Sequence, residues 1–255
     1  MSSITFLVAI TLIVVVAALV GMAIVRRLVP REKLSQHTEV AGYIYAVIGV
    51  IYGVILAQVV VAAWDEYRDA LSVSEAEASA VLNLDRLART WPDDDRERIR
   101  SSLIDYATAV VEVEWPAMAR GDFSLAGDTT HVGALWAAYD DIALGPNAST
   151  ANYAASLDQL QTVDDARRTR FELGERTLPQ AMVVTLILGG IVTVAFSYLF
   201  RIDDRWLHAV MTASLAVLVA LLLLLEYDLE TPFDGVDAIA PTSMQLVLRT
   251  LAEIP

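Results

Sequence analysis

Residues 40 to 64 read VAGYIYAVIGVIYGVILAQVVVAAW, twenty-five positions without a charge. A helix needs about 20 such residues to cross a hydrocarbon core of about 30 Å, so this stretch is long enough to span a bilayer. Three more stretches behave alike: residues 1 to 25, 177 to 200 and 206 to 225 also lack any charged side chain. In lipid every backbone amide must find its partner within its own segment, which makes such runs helices. Nothing has the ten-residue alternation of a membrane barrel. The expected fold is an all-α integral membrane protein with four transmembrane helices and a helical extramembrane domain between the second and third. The chain then divides into helices 1 and 2 with a short basic loop (1–64), an acidic helical domain (65–178), helices 3 and 4 (179–225) and an acidic tail (226–255).

The charge is unevenly placed. The whole chain carries −14, and residues 65 to 178 hold 22 Asp and Glu against 11 Arg and no Lys, a net of −11. A field of that sign repels nucleic acid and anionic head groups and gathers cations. Inorganic ions and the lipid bilayer are the expected partners; nucleic acid is not. The chain has no cysteine, which removes disulfides, thiol catalysis and thiolate metal sites and leaves the compartment undetermined.

The first apolar run has no positive segment before it, and Arg26 and Arg27 follow it, so it reads as a retained span, not a cleaved leader. The loop after it carries Arg26, Arg27, Arg31 and Lys33 against Glu32 and Glu39, and the turn between spans three and four carries Arg201 and Arg205. By the positive-inside rule these loops are cytoplasmic in an inner (plasma) membrane. Both termini and the acidic domain are then outside. The opposing flank carries Arg68, Arg167, Arg168, Arg170 and Arg176, five cations against six.

Within the middle segment, residues 64 to 89 contain neither Gly nor Pro and carry Leu71, Ala78, Val81, Leu84 and Ala88 at helical spacing, so the second span should continue as a stalk. Pro92 followed by Asp93, Asp94 and Asp95 marks a helix start. Ile99, Leu103, Ala107, Val110 and Val111 form its apolar stripe, which Pro116, Gly121 and Gly127 interrupt. A short helix is expected near 132–142 and a last one over about 152–175. Asn147-Ala148-Ser149 matches a glycosylation acceptor, a pattern that recurs by chance.

Catalytic chemistry is scarce. His37, His131 and His208 stand apart, with no ligand-spaced pair. There is no phosphate loop, nucleophile elbow or dinucleotide fingerprint. Asp140 with Asp141, and Asp164 with Asp165, read as solvated helix faces. No enzyme activity and no cofactor are expected, and a metal site is left undetermined.

Span two is the informative element. Gly42, Ala46, Gly49, Gly53 and Ala57 recur every three or four residues, and such a stripe of small side chains lets helices approach closely. Packing against a neighbouring helix and lining a narrow passage are both compatible with it. Gln58 puts a polar group in the membrane, where it should face protein or water.

Residues 53 to 67, GVILAQVVVAAWDEY, resemble the end of the second span of bestrophins, where a glycine leads through valines to a Trp-x-x-Tyr motif, here Trp64 and Tyr67. Pro232-Phe233-Asp234-Gly235 resembles the bestrophin Pro-Phe-Gly turn. Nearly the whole chain is similar to the bestrophin-like family of bacterial membrane proteins. That likeness includes the Arg-rich segment with Arg167, Arg168 and Arg170 and an Asp-x-x-x-Pro-Phe-x-Gly tail from Asp228 to Gly235. Bestrophins are pentameric anion channels whose second span lines a hydrophobic neck, so the resemblance implies a homo-oligomeric, pentameric pore. Matching the Trp-x-x-Tyr motifs places the neck near Ala46, Val50 and Val54; the polar Gln58 of the same span joins the expected pore lining, and the small-residue stripe gives the expected helix contacts at Gly42, Gly49, Gly53 and Ala57. The match departs from the animal family in three ways. The neck residues are smaller; Glu226, Asp228, Glu230, Asp234 and Asp237 are more dispersed than a calcium-binding run; and bestrophin middle domains are cytosolic. An acidic vestibule also favours cations.

Two readings follow: an oligomeric ion channel with its pore along span two, or a membrane-anchored sensory or partner-binding protein acting through its helical domain.

Overall fold

A computed structural model describes residues 3–29, 38–140, 142, 150–200, 202 and 204–253. Arg31, Glu32, Lys33 and His37 of the basic loop, Asp141, the Asn147-Ala148-Ser149 triplet and Arg201 lie outside the described residues. Among the described residues every regular element is helical. The chain separates into two compact units, one of residues 1–65 with 177–230 and one of 66–176 with 231–255.

The first unit holds the four apolar helices. α1 (Ser3–Leu28) is followed by α2 (Thr38–Ala88), a single helix of 51 residues whose first half belongs here. At 1.5 Å per residue α2 is about 77 Å long; the unbroken pattern after Trp64 is the reason it does not stop at the membrane. α7 (Gln180–Phe196) starts behind Pro179 and ends in a 3₁₀ turn (Ser197–Leu199), and α8 (Arg205–Glu230) returns. α1 lies along α8, with α7 against both. Ala18, Tyr52, Leu56, Val59, Leu186, Val194, Ala216 and Val219 form the shared core. Four helices here, reaching from Thr5, Val40, Gln180 and Arg205, are long and apolar enough to cross a membrane.

The second unit is a helical domain. It contains the distal part of α2 and then α3 (Asp93–Ala109), which begins at Pro92 with three acidic residues in its first turn. A π turn (Val110–Glu114) joins α3 to the short α4 (Trp115–Met118). Pro116 explains the π turn: it offers no N–H and its ring crowds the carbonyl four residues back, so the backbone widens and the Trp115 N–H bonds Val110 O instead. After a 3₁₀ turn (Ser124–Gly127) come α5 (Thr130–Asp140) and α6 (Thr150–Glu175). The tail beyond residue 230 packs into this unit and ends in α9 (Thr242–Glu253), which lies on α3.

The domain core is built from the stripes the spacing predicts. Ala78, Val81, Leu84 and Ala88 of α2 and Ile99, Leu103, Ala107 and Val110 are buried. They meet Leu135, Tyr139, Leu160, Val163, Met244, Val247 and Leu251. Leu71 is the exception: it is 39% exposed, because the inward line of α2 runs through Ala70, Ser74 and Glu77 instead.

Candidate functional site: a face of α2 and a buried ion cluster

Two features stand out, one in each unit. In the first unit, Tyr52, Leu56, Val59 and Ala63, spaced at four, three and four residues, are the buried side of α2. Tyr52 sets this contact: its ring lies where a Cβ on Gly189 would stand, 2.6 Å from that position, so only glycine admits it.

The residues expected to line a passage lie elsewhere on the helix. Val50 and Val54 are 66% and 57% exposed, and Ala46 and Gln58 are exposed with them. At about 100° per residue, Val54 is about 160° from Leu56 and Val50 about 160° from Tyr52, so both lie on the side of α2 away from its buried line. The small stripe flanks them. Gly53 and Ala57 are exposed, a Cβ on Gly49 or Gly53 would meet nothing within 4 Å, and one on Gly42 would only touch Phe200 at 4.0 Å. The stripe therefore makes little contact within its own chain. Trp64 is 49% exposed at the end of the apolar run.

In the second unit the Arg-rich segment of α6 is split by the helical repeat. Arg168 points out and pairs with Glu172 at 2.9 Å. Arg167 and Arg170, three residues apart, point in. Arg170 is fully buried and takes Glu77 of α2 side on, Nε to Oε2 at 2.7 Å and Nη2 to Oε1 at 3.1 Å. Its Nη2 also reaches Glu114 Oε2 at 2.6 Å. Arg167 holds the other oxygen of Glu114 through Nε at 2.8 Å and donates to the Leu125 carbonyl at 3.0 Å. Tyr106 donates its hydroxyl to Glu77 Oε1 at 2.6 Å. Two cations meet two anions, and the cluster is neutral.

Aromatic rings cover the charges. The Arg170 guanidinium sits 4.9 Å from the Trp115 ring and 5.1 Å from Phe171, a cation–π arrangement that helps offset desolvation. Burial works against the charge on Arg170, but Glu77 beside it and then Glu114 prevail and hold its pKa above the usual value. Burial, and then the charge of Glu77, push the Tyr106 hydroxyl well above the usual tyrosine value.

The tail motif docks on the same ring. Phe233 is buried and meets Trp115 edge to face at 5.5 Å. Trp115 Nε1 donates to Ile239 O at 2.8 Å, and Tyr67 donates its hydroxyl to Asp237 O at 2.8 Å. Ile239 N closes the turn onto Pro232 O at 2.8 Å. Gly235 has φ 114°, a conformation L side chains rarely adopt, and its N–H is held by Asp234 Oδ1. Asp228 is half-buried near the end of α8. Among the described residues no three His, Asp or Glu side chains gather closely enough to hold a metal ion.

Glu77, Glu114, Tyr106 and Trp115 were not singled out from the sequence. A signal existed for Glu77, which falls in phase with Ala70, Val81, Leu84 and Ala88. Glu114 had none, because the π turn shifts its phase.

The fold and this face of α2 define a four-helix integral membrane protein with a helical domain inserted between its second and third spans. A Bestrophin-like domain model matches residues 12–244, so the chain belongs to the bestrophin-like family. Solved structures agree in fold. A tryptophan-to-alanine variant of a bacterial bestrophin homologue from Klebsiella pneumoniae superposes with a TM-score of 0.77 at 16% identity, covering 99% of this chain and 98% of that one. An isoleucine-to-threonine variant of the homologue from the same organism gives 0.76 at 15%, over 97% and 99%. A crystallised membrane protein with a proline-to-alanine change gives 0.68 at 16%, over 97% of each chain. No curated protein matches by sequence.

Proposed function

We propose that the protein is an oligomeric ion channel of the inner (plasma) membrane, a pentamer whose pore is lined by Ala46, Val50, Val54 and Gln58 of α2. Gly42, Gly49, Gly53 and Ala57 are then the contacts between neighbouring copies. The observation that carries the reading is the exposure of Val50 and Val54 on a membrane helix whose opposite face is filled by its own protomer. A ring of valines can close a passage by dewetting. Membership of the bestrophin-like family supports the pore, and the net −11 of residues 65–178 supports a preference for cations.

The cation count of the flanks supports cytoplasmic loops and an acidic domain on the outer side. Arg167 and Arg170 are neutralised by Glu114 and Glu77, which leaves Arg68, Arg168 and Arg176 as the cations of the domain flank that have no buried partner among the described residues.

The deciding experiment is the oligomeric mass of the purified protein in detergent followed by planar-bilayer recording under a potassium chloride gradient. A pentameric mass and a reversal potential on the potassium side are expected. A folded oligomer that does not conduct would replace the channel with a membrane-anchored, partner-binding protein. A reversal potential on the chloride side would keep the pore and reject its cation preference.

A further inference from the structure

His208 lies near the start of α8, only 2% exposed, with both ring nitrogens engaged. Nδ1 is 2.7 Å from Nη2 of Arg26 at the end of α1, and Nε2 is 3.1 Å from the carbonyl oxygen of Ser197 in the 3₁₀ turn after α7. The same Arg26 nitrogen donates to the Ile202 carbonyl at 2.9 Å. One imidazole therefore ties together the ends of three elements of the membrane unit.

The hydrogen-bond valence fixes the state of the ring. A guanidinium only donates, so Nδ1 must accept; a carbonyl only accepts, so Nε2 carries the proton. The ring in this arrangement is neutral. A second proton can be added only at Nδ1, where it would face the Arg26 N–H and place two cations in contact.

The other groups around the ring offer no compensation. Arg26 is the charged group reaching it from α1. On the 3₁₀ turn the titratable side chain is Tyr198, which lies against Gly21. Just before α8, Asp204 spends Oδ1 on the N–H groups of Trp206 and Leu207, and Arg205 at its start is exposed. Among the described residues no carboxylate hydrogen-bonds the ring.

We propose that His208 and Arg26 form a proton-sensitive latch: protonation of His208 breaks its bond to Arg26 and frees the end of α1 from the start of α8 and the Ser197–Leu199 turn. The latch sits at the helix ends beside Arg27 and Arg205, so it responds to pH on the side of the membrane that holds the basic loops. It does not depend on whether the protein conducts.

Thermal unfolding of the full-length protein in detergent, from about pH 7.5 to about pH 5.5, brackets the ordinary histidine pKa of about 6.5. His208→Gln keeps an oxygen that accepts and an amide that donates, yet cannot titrate. The wild-type midpoint should fall several degrees further than that of His208→Gln over this interval, and amide exchange should rise in residues 22–28 of the wild type alone. Arg26→Gln removes the opposing cation and should flatten the profile in the same way, which serves if His208→Gln does not fold. Superimposable pH profiles for wild type and either variant overturn the proposal.

Discussion

Arg170 and Glu77 face each other through two N–H···O bonds, 2.7 and 3.1 Å long, and neither side chain touches solvent. A buried pair of this kind is costly to break from one side and cheap to replace whole. Arg170→Met should cost about 3–5 kcal/mol, because Glu77 keeps only Tyr106 as a partner. The double change Glu77→Leu with Arg170→Met should lie much closer to wild type. Unfolding followed by circular dichroism checks both.

Tyr106 supplies a pH prediction. Its folded-state pKa is raised above the ordinary 10.0, so folding binds this proton more tightly than the unfolded chain does. The stability it contributes is complete below about pH 10 and is lost as the pH rises beyond that value. Tyr106→Phe should lower stability at neutral pH by about 1.5–3 kcal/mol, the range for a hydrogen bond to a charged group, and should make the alkaline loss shallower. Equal alkaline slopes would dissociate Tyr106 from the effect.

Two glycines should behave oppositely. Gly189→Ala places a methyl 2.6 Å from the Tyr52 ring, and overpacking of that kind costs about 1–3 kcal/mol within the protomer. Gly53→Leu enters open space in the protomer and should leave its fold intact while weakening assembly. Mass measurement and thermal unfolding on the same samples separate the two; an unchanged oligomer with Gly53→Leu and a disturbed one with Ile55→Leu would move the contact to another face.

Val54 tests the passage. Val54→Ser should ease wetting and raise conductance in bilayers, and Val54→Phe should narrow or block it. Conductance unchanged in both would remove Val54 from the lining.

Asp140 tests sidedness. It is exposed on α5, so a cysteine placed there should react with an impermeant thiol reagent on intact cells. Reaction only after the membrane is opened would put the domain in the cytoplasm.

The four spans and the stalk were legible because lipid and helix impose simple rules: no charge over about 20 residues, and no Gly or Pro after Trp64. The Arg-rich segment was legible as a motif but not as a structure. Arg167, Arg168 and Arg170 look alike in a string, and only the helical repeat sends Arg168 outward and the other two inward. Their partners come from residues 53 to 93 positions away in sequence, a distance over which no local pattern operates. The tail reads as an acidic extension, yet Phe233 and Ile239 anchor it on Trp115 through one ring contact and one hydrogen bond.

The π turn at Val110–Glu114 acts as a phase shifter. It holds one residue more than an α turn would, so the helix after it is rotated by about 100° relative to the helix before it. That offset lets Tyr106 and Val110 face the core on one side of the turn while Glu114 and Trp115 still face it on the other. The segment consequently counts residues as a gear counts teeth: removing Val113, itself 52% exposed and idle in the core, would give an ordinary α turn with Glu114 and Trp115 three and four residues after Val110 and still on its side, whereas inserting one more residue would swing Glu114 away from both arginines by about 100°. An outward-facing insertion would thus reach the centre of the domain, while losing the one residue the π turn carries in excess would leave that centre in register.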